Sequence, residues 1–196
     1  MHKHALTDHR IHELIRTRWS PYGFDARAVG DADLQALFEA ARWAPSSYNA
    51  QPWSFIVGMA GTAQFARVLG CLIEFNQSWA RHAPVLVLGL TQTLFPNKDE
   101  RNHWAEHDLG LAAGNICVEA TARGLCVHQM AGIVPERVRS EFAVPGTVRP
   151  LTAMAIGYPG KSAVPEALAT RDAATRERMP QTAFVFGGNW GEQAAQ

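Results

Sequence analysis

The stretch Ala44-Pro45-Ser46-Ser47-Tyr48-Asn49-Ala50-Gln51-Pro52-Trp53 joins two patterns of different period. Before it, Asp31 to Ala44 places Leu34, Leu37, Phe38 and Ala41 at i, i+3, i+4 and i+7, which predicts an amphipathic helix capped by Asp31 and stopped by Pro45. After it, Trp53-Ser54-Phe55-Ile56-Val57-Gly58 is short, aromatic and β-branched, as a buried strand is. Turning the chain needs only Gly, Asn or Pro. The plain reading, a helix stop followed by a turn, accounts for Pro45 and Asn49 but leaves Ser46, Ser47 and Gln51 without a task. The alternative is a loop built to hold something.

Outward from this loop the two periods recur. Ala83 to Leu90 reads as a second strand. From Asp108 to Arg123, Leu109, Ala112, Ala113, Ile116, Cys117 and Ala120 keep helical spacing, and Gly110 and Gly114 permit close contact, which predicts a central buried helix ending at Gly124. Leu125 to Ile133 reads as a strand and turn, Pro135 opens a helix over 135–142, and 151–160 is a last strand with its turn. Residues 161–175 read as a loose connection. Helices outnumber strands, no repeat occurs, and residues 1–196 are expected to form one domain.

Lys+Arg and Asp+Glu are equal at 18 each, so no global field attracts nucleic acid or an anionic membrane. Only Lys3, Lys98 and Lys161 are lysines; the other basic residues are arginines, which suit bidentate recognition of phosphate or carboxylate. Cys71, Cys117 and Cys126 form no C-x-x-C pair, which points to a reducing compartment. The N-terminus lacks an apolar signal-like run, and the longest apolar run is far short of the ~20 residues of a membrane helix. A soluble, cytoplasmic protein without nucleic-acid or membrane partners is expected. His2, His4, His9 and His12 read as a polar helix face. His103 and His107 have the i, i+4 spacing of zinc hydrolases, but Glu106 adjoins the second histidine instead of the first and no third ligand is evident; no metal site is expected.

Five segments in order resemble the nitroreductase family: 15–24 (IRTRWSPYGF), 44–53 (APSSYNAQPW), 76–88 (NQSWARHAPVLVL), 108–125 (DLGLAAGNICVEATARGL) with 130–133 (MAGI), and 155–160 (AIGYPG) followed by 176–191 (RERMPQTAFVFGGNWG). The resemblance implies an α+β fold with a central, mostly antiparallel sheet flanked by helices. It further implies a homodimer with active sites at the interface, in which a C-terminal strand passes to the partner. The implied cofactor is flavin mononucleotide (FMN), with NADH or NADPH as electron donor. Hydride passes through flavin N5, in ping-pong order, to a nitroaromatic, quinone or enone, and no side chain is implied as a catalytic acid or base. A flavin-binding or flavin-fragmenting role on the same fold is the alternative, and a zinc hydrolase a more distant one.

Residue by residue, the resemblance implies phosphate contacts from Arg18, Ser20, Arg176 and Arg178, with Arg16, Trp19 and Tyr22 alongside. It implies flavin contacts from Pro45, Ser46, Ser47, Asn49 and Gln51 of the partner's loop, from Asn76, and from Gln129, Met130, Ala131 and Gly132 at the reactive edge. Taken singly, each arginine reads better as a solvated surface charge; four groups at matching positions reverse that. Tyr22 stands where many relatives, and Trp79 where some, carry a cation facing flavin N1/O2, so either Arg16 or Arg81 supplies that charge or the flavin is harder to reduce. Phe95, Trp104 and Trp79 are candidates for an apolar lid over the acceptor, and each reads equally well as core filling.

Overall fold

Strands β1 (Trp53–Met59), β2 (Val85–Gln92), β3 (Cys126–Met130) and β4 (Val148–Gly157) form one antiparallel sheet in the order β1-β2-β4-β3. They belong to a computed structural model that describes residues 3–161 and 164–192. Among the described residues seven helices surround the sheet: α1 (Glu13–Thr17), α2 (Asp31–Arg42), α3 (Ala63–Gly70), α4 (Glu74–Ala80), α5 (Ala105–Ala122), α6 (Pro135–Phe142) and α7 (Glu166–Ala173). The fold is α+β, as expected.

The central strands β2 and β4 are buried on both faces, which is why 83–90 reads as a continuous apolar run and not as an alternation. Val85 and Val87 of β2 join Met154 and Ile156 of β4 on one face, where Leu37 and Ala41 of α2 and Ala112, Ala113 and Ile116 of α5 cover them. Leu86, Leu88 and Leu90 point the other way with Ala153 and Ala155, under Phe65 and Val68 of α3, Trp79 of α4 and Val138 of α6. α5 is thus the buried central helix, its small residues lying against α2 and the sheet.

Several expected boundaries move. α2 is capped by Gly30, with Asp31 and Asp33 in its first turn, where carboxylates favour the helix dipole. α5 begins three residues early, at Ala105. β4 begins at Val148 and runs through Pro150, which lies opposite Leu90 at a register shift between Gly89 and Leu90; such an irregularity accommodates a residue without an N–H. The expected loose connection 161–175 instead contains α7, docked through Leu168. The described N-terminal histidines share no helix face: His4 and His9 precede α1, His12 caps it through Nδ1 at 3.2 Å from Leu14 N, and His2 lies outside the described residues.

At the C-terminal end, Gln181–Ala183 form a 3-10 turn and Phe184 and Val185 are exposed. Among the described residues the sheet takes no strand from this arm. Among the described residues no helix is long and apolar enough to cross a membrane.

Candidate functional site

The loop at 44–51 is rigid by construction. Tyr48, Asn49 and Gln51 all have positive φ (51°, 54° and 47°), a cluster that non-glycine residues adopt only under local compensation. The compensation is visible in three bonds. Ser46 Oγ accepts from Gln51 N at 3.0 Å, Gln51 Nε2 donates to Asn49 O at 3.1 Å, and Asp108 of α5, 2% exposed, accepts from Ser47 N at 3.1 Å. Ser46 and Gln51 therefore build the loop. Among the described residues the hydroxyl of Ser47 and the side-chain amide of Asn49 have no hydrogen-bond partner, and the ring of Pro45 is exposed. Tyr48, absent from the expected set, is 92% exposed and meets Phe95 edge-on at 5.8 Å. Sequence reading missed it because nothing in a tyrosine's neighbours announces that it will project from a left-handed turn.

A second group surrounds the end of β3. The carbonyl of Gly132 accepts from Asn76 Nδ2 at 3.0 Å and from Ile73 N at 3.1 Å. A Cβ on Gly132 would stand 2.5 Å from Asn76 Nδ2, so glycine is what lets α4 approach. Among the described residues the N–H groups of Ala131 and Gly132 reach no protein acceptor. Met130 is core, while Gln129 reaches across to Cys117 of α5 at 3.4 Å. Burial pushes the thiols of Cys117 and Cys126 up, the latter to about 12, so both stay protonated and unreactive.

The third group is basic. Arg18 Nη1 lies 3.2 Å from Ser20 Oγ. Arg176 donates to the carbonyls of Lys3, Arg16 and Arg18, and Arg178 to that of Glu177. Among the described residues none of Arg18, Arg176 and Arg178 forms an ion pair with a carboxylate. All three line an open cavity of about 650 Å³ between residues 5–15 and the start of the C-terminal arm. Burial, then the charges of Arg18 and Arg178, pull the Arg176 pKa below its usual value. Arg16 is paired with Glu13 at 2.8 Å, and Trp19 is buried with Lys3 Nζ 5.4 Å over its ring.

One aromatic expectation needs correcting. Trp79 is fully buried, packed on Tyr22 (5.0 Å) and His128 (4.5 Å), with its Nε1 unpartnered. It offers no surface to a substrate. Tyr22 is half-buried in the same cluster, its N–H held by Asp172 and its hydroxyl 3.4 Å from Arg171 Nη1. Of the two candidate compensating cations, Arg16 is held by Glu13, and Arg81 bonds the carbonyl of Gln77. Phe95 is half-buried, and Trp104 lies 60% exposed at the start of α5. His103 and His107 are exposed, and among the described residues no third metal-ligating side chain joins them.

Arg18 of the basic group acts electrostatically on the thiols of Cys117, which Gln129 of the β3 group bonds, and of Cys126 at the start of β3. The loop group is fixed at Asp108, about 14 Å away along α5 at 1.5 Å per residue. Within one chain, no hydrogen bond or ring contact among the described residues links the loop to the arginines.

Residues 15–158 match the model of the nitroreductase family. An uncharacterised 15.4 kDa protein of Mycolicibacterium smegmatis is 36% identical over 146 residues, covering 70% of this chain and 97% of that protein. A Streptomyces coelicolor protein provisionally named as an NADH dehydrogenase/NAD(P)H nitroreductase is 27% identical over 188 residues, 86% of this chain and 87% of its own. Among solved structures, one described as an oxidoreductase containing FMN superposes with a TM-score of 0.90 at 26% identity, over 96% of this chain and 97% of that one. A nitroreductase family protein of Clostridium difficile superposes with a TM-score of 0.68 at 22% identity, over 88% and 95% of the two chains, and speaks to the fold alone. With its family match running from α1 to the end of β4, the chain belongs to the nitroreductase family.

Proposed function

We propose that the chain is an FMN-dependent oxidoreductase that takes hydride from NADH or NADPH and passes it, in ping-pong order, to a nitroaromatic, quinone or enone. The observation that carries this reading is the gathering of Arg18, Arg176 and Arg178 around one cavity without a carboxylate partner. Like charges brought together cost free energy unless an anion joins them, and a terminal phosphate carries roughly two negative charges and accepts charge-assisted bonds. The oxidoreductase containing FMN among the similar structures supports the choice of flavin.

Bound there, FMN supplies the redox chemistry; the protein supplies orientation and polarity. Arg18, Arg178 and Ser20 would hold the phosphate. The free N–H groups of Ala131 and Gly132, with Gln129 and Asn76 beside them, would face the reactive edge. Ser47, Asn49 and Pro45 would contact the flavin from a second copy, since their loop is built apart from the arginines of its own chain. We infer a homodimer with active sites shared across its interface, each chain acting as a single flavin-binding unit over its length. The exposed apolar residues Leu6, Tyr48, Val118, Phe184 and Trp190 support that reading, because a lone chain would leave them in water. Phe95 and Trp104, joined by Tyr48, would form the wall against a flat acceptor.

The test is the visible spectrum of purified protein before and after anaerobic addition of NADH or NADPH. Bleaching of a flavin band and its return on adding a quinone are expected. A bound flavin that neither nucleotide reduces would instead favour a carrier or flavin-fragmenting role.

A further inference from the structure

Arg176 meets its surroundings differently from the other two arginines. Nη2 donates to the carbonyls of Lys3 and Arg16 at 2.6 and 2.7 Å, and Nη1 to the carbonyl of Arg18, partners 158 to 173 residues away in sequence. Arg16 and Arg18 lie at the C-terminal end of α1, where a helix leaves carbonyls without partners. The same Arg16 carbonyl also accepts from Ala5 N at 2.8 Å. Lys3 Nζ in turn donates to the carbonyl of Asp172 at 2.5 Å, capping the end of α7. Residues 3–5 are thus a strap laid between α1 and α7, and the Arg176 guanidinium is the point at which strap, α1 and the C-terminal arm are tied. Of its nitrogens only Nε, which is buried, has no partner.

We propose that Arg176 is a positioning residue and not a phosphate ligand: it clasps the N-terminal strap against the C-terminal arm and so holds Arg18 and Ser20 in place for the phosphate. The phosphate half of this statement rests on the FMN reading; the clasp does not. A planar fork reaches three carbonyls in fixed directions, whereas lysine carries its charge on one nitrogen and cannot span them. Holding the Arg18 backbone in advance lowers the ordering cost of binding.

The experiment compares full-length wild type with Arg176→Lys, Arg176→Gln and Arg18→Ala. Two quantities are read: amide hydrogen exchange of the apoprotein, and dissociation constants for FMN and for riboflavin, which lacks the phosphate. Both Arg176 variants should exchange the N-terminal peptide at least about tenfold faster, with β2 peptides unchanged as a check on folding. Both should also lose about tenfold of the preference for FMN over riboflavin, lysine doing no better than glutamine. Arg18→Ala should lose the preference while its strap stays closed. Rescue of the preference by lysine would make Arg176 a direct charge contact and overturn the proposal. An N-terminal peptide unchanged in both Arg176 variants would overturn the clasp while leaving the flavin reading intact. A wild type without preference for FMN would overturn the phosphate reading, and the positioning role with it.

Discussion

Gly132 sits where a single methyl group has no room: a Cβ there would stand 2.5 Å from Asn76 Nδ2 and 2.6 Å from Ile73 Cδ1. Gly132→Ala should therefore cost about 1–3 kcal/mol, the range for forced overpacking, read as a lower urea midpoint. An unchanged midpoint would mean that α4 moves away freely. His128 carries a pH dependence. Its Nδ1 lies 2.9 Å from the Pro21 carbonyl, which can only accept, so that nitrogen bears the proton of the neutral ring. Burial lowers the His128 pKa from 6.5, more than the Pro21 carbonyl and Asp172 raise it. The unfolded chain then binds the proton first as pH falls, so this contribution to stability is whole above about pH 6.5 and declines below it. His128→Gln should flatten that part of the stability profile; a slope identical to wild type would assign the dependence to another group.

α7 shows what a short element does beyond its own hydrogen bonds. Asp172, near its end, accepts from Tyr22 N at 2.9 Å and Gly23 N at 3.1 Å, tying the helix to the segment that follows Ser20. Asp172→Ala leaves those donors unpaired and should destabilise the fold by about 1–3 kcal/mol, measured by urea unfolding. A loss below a few tenths of a kcal/mol would show that water replaces the carboxylate. Yet α7 was not legible in the sequence. Its alanines and charges give no apolar stripe, and Leu168 alone is buried. α3 and α4 escaped for a related reason: helices of eight and seven residues depend on tertiary packing more than on their own pattern. α2 and α5 were legible because burial of one side imposes a helical period, and the strands because burial makes them short apolar runs, while their ends shifted by a few residues where caps and register decide. The site divides the same way. Ser46, Ser47 and Gln51 stood out as polar groups without obvious work and the arginines through the family resemblance, but no pattern in sequence says that Ser46 and Gln51 close their own loop, that Arg176 faces carbonyls, or which of the three aromatic residues is core.

At the scale of the whole molecule, charge balance and exposed apolar side chains act together. Zero formal net charge gives no repulsion between copies, and the arm after Pro180 presents Phe184, Val185 and Trp190 to solvent. If a second copy covers them, a chain truncated after Pro180, which keeps Arg176 and Arg178, should shift toward monomer in light scattering and lose flavin in parallel, since binding and association are linked. A truncated chain that stays dimeric and fully loaded at micromolar concentration would reduce the arm to a tail. If the arginine-lined cavity takes the phosphate of FMN, denaturing the purified protein and identifying what it releases shows it most directly. The prediction is FMN at close to one per chain, or, from colourless protein, stoichiometric reconstitution by FMN. FAD in its place, or a protein that neither carries nor accepts FMN, would contradict the account.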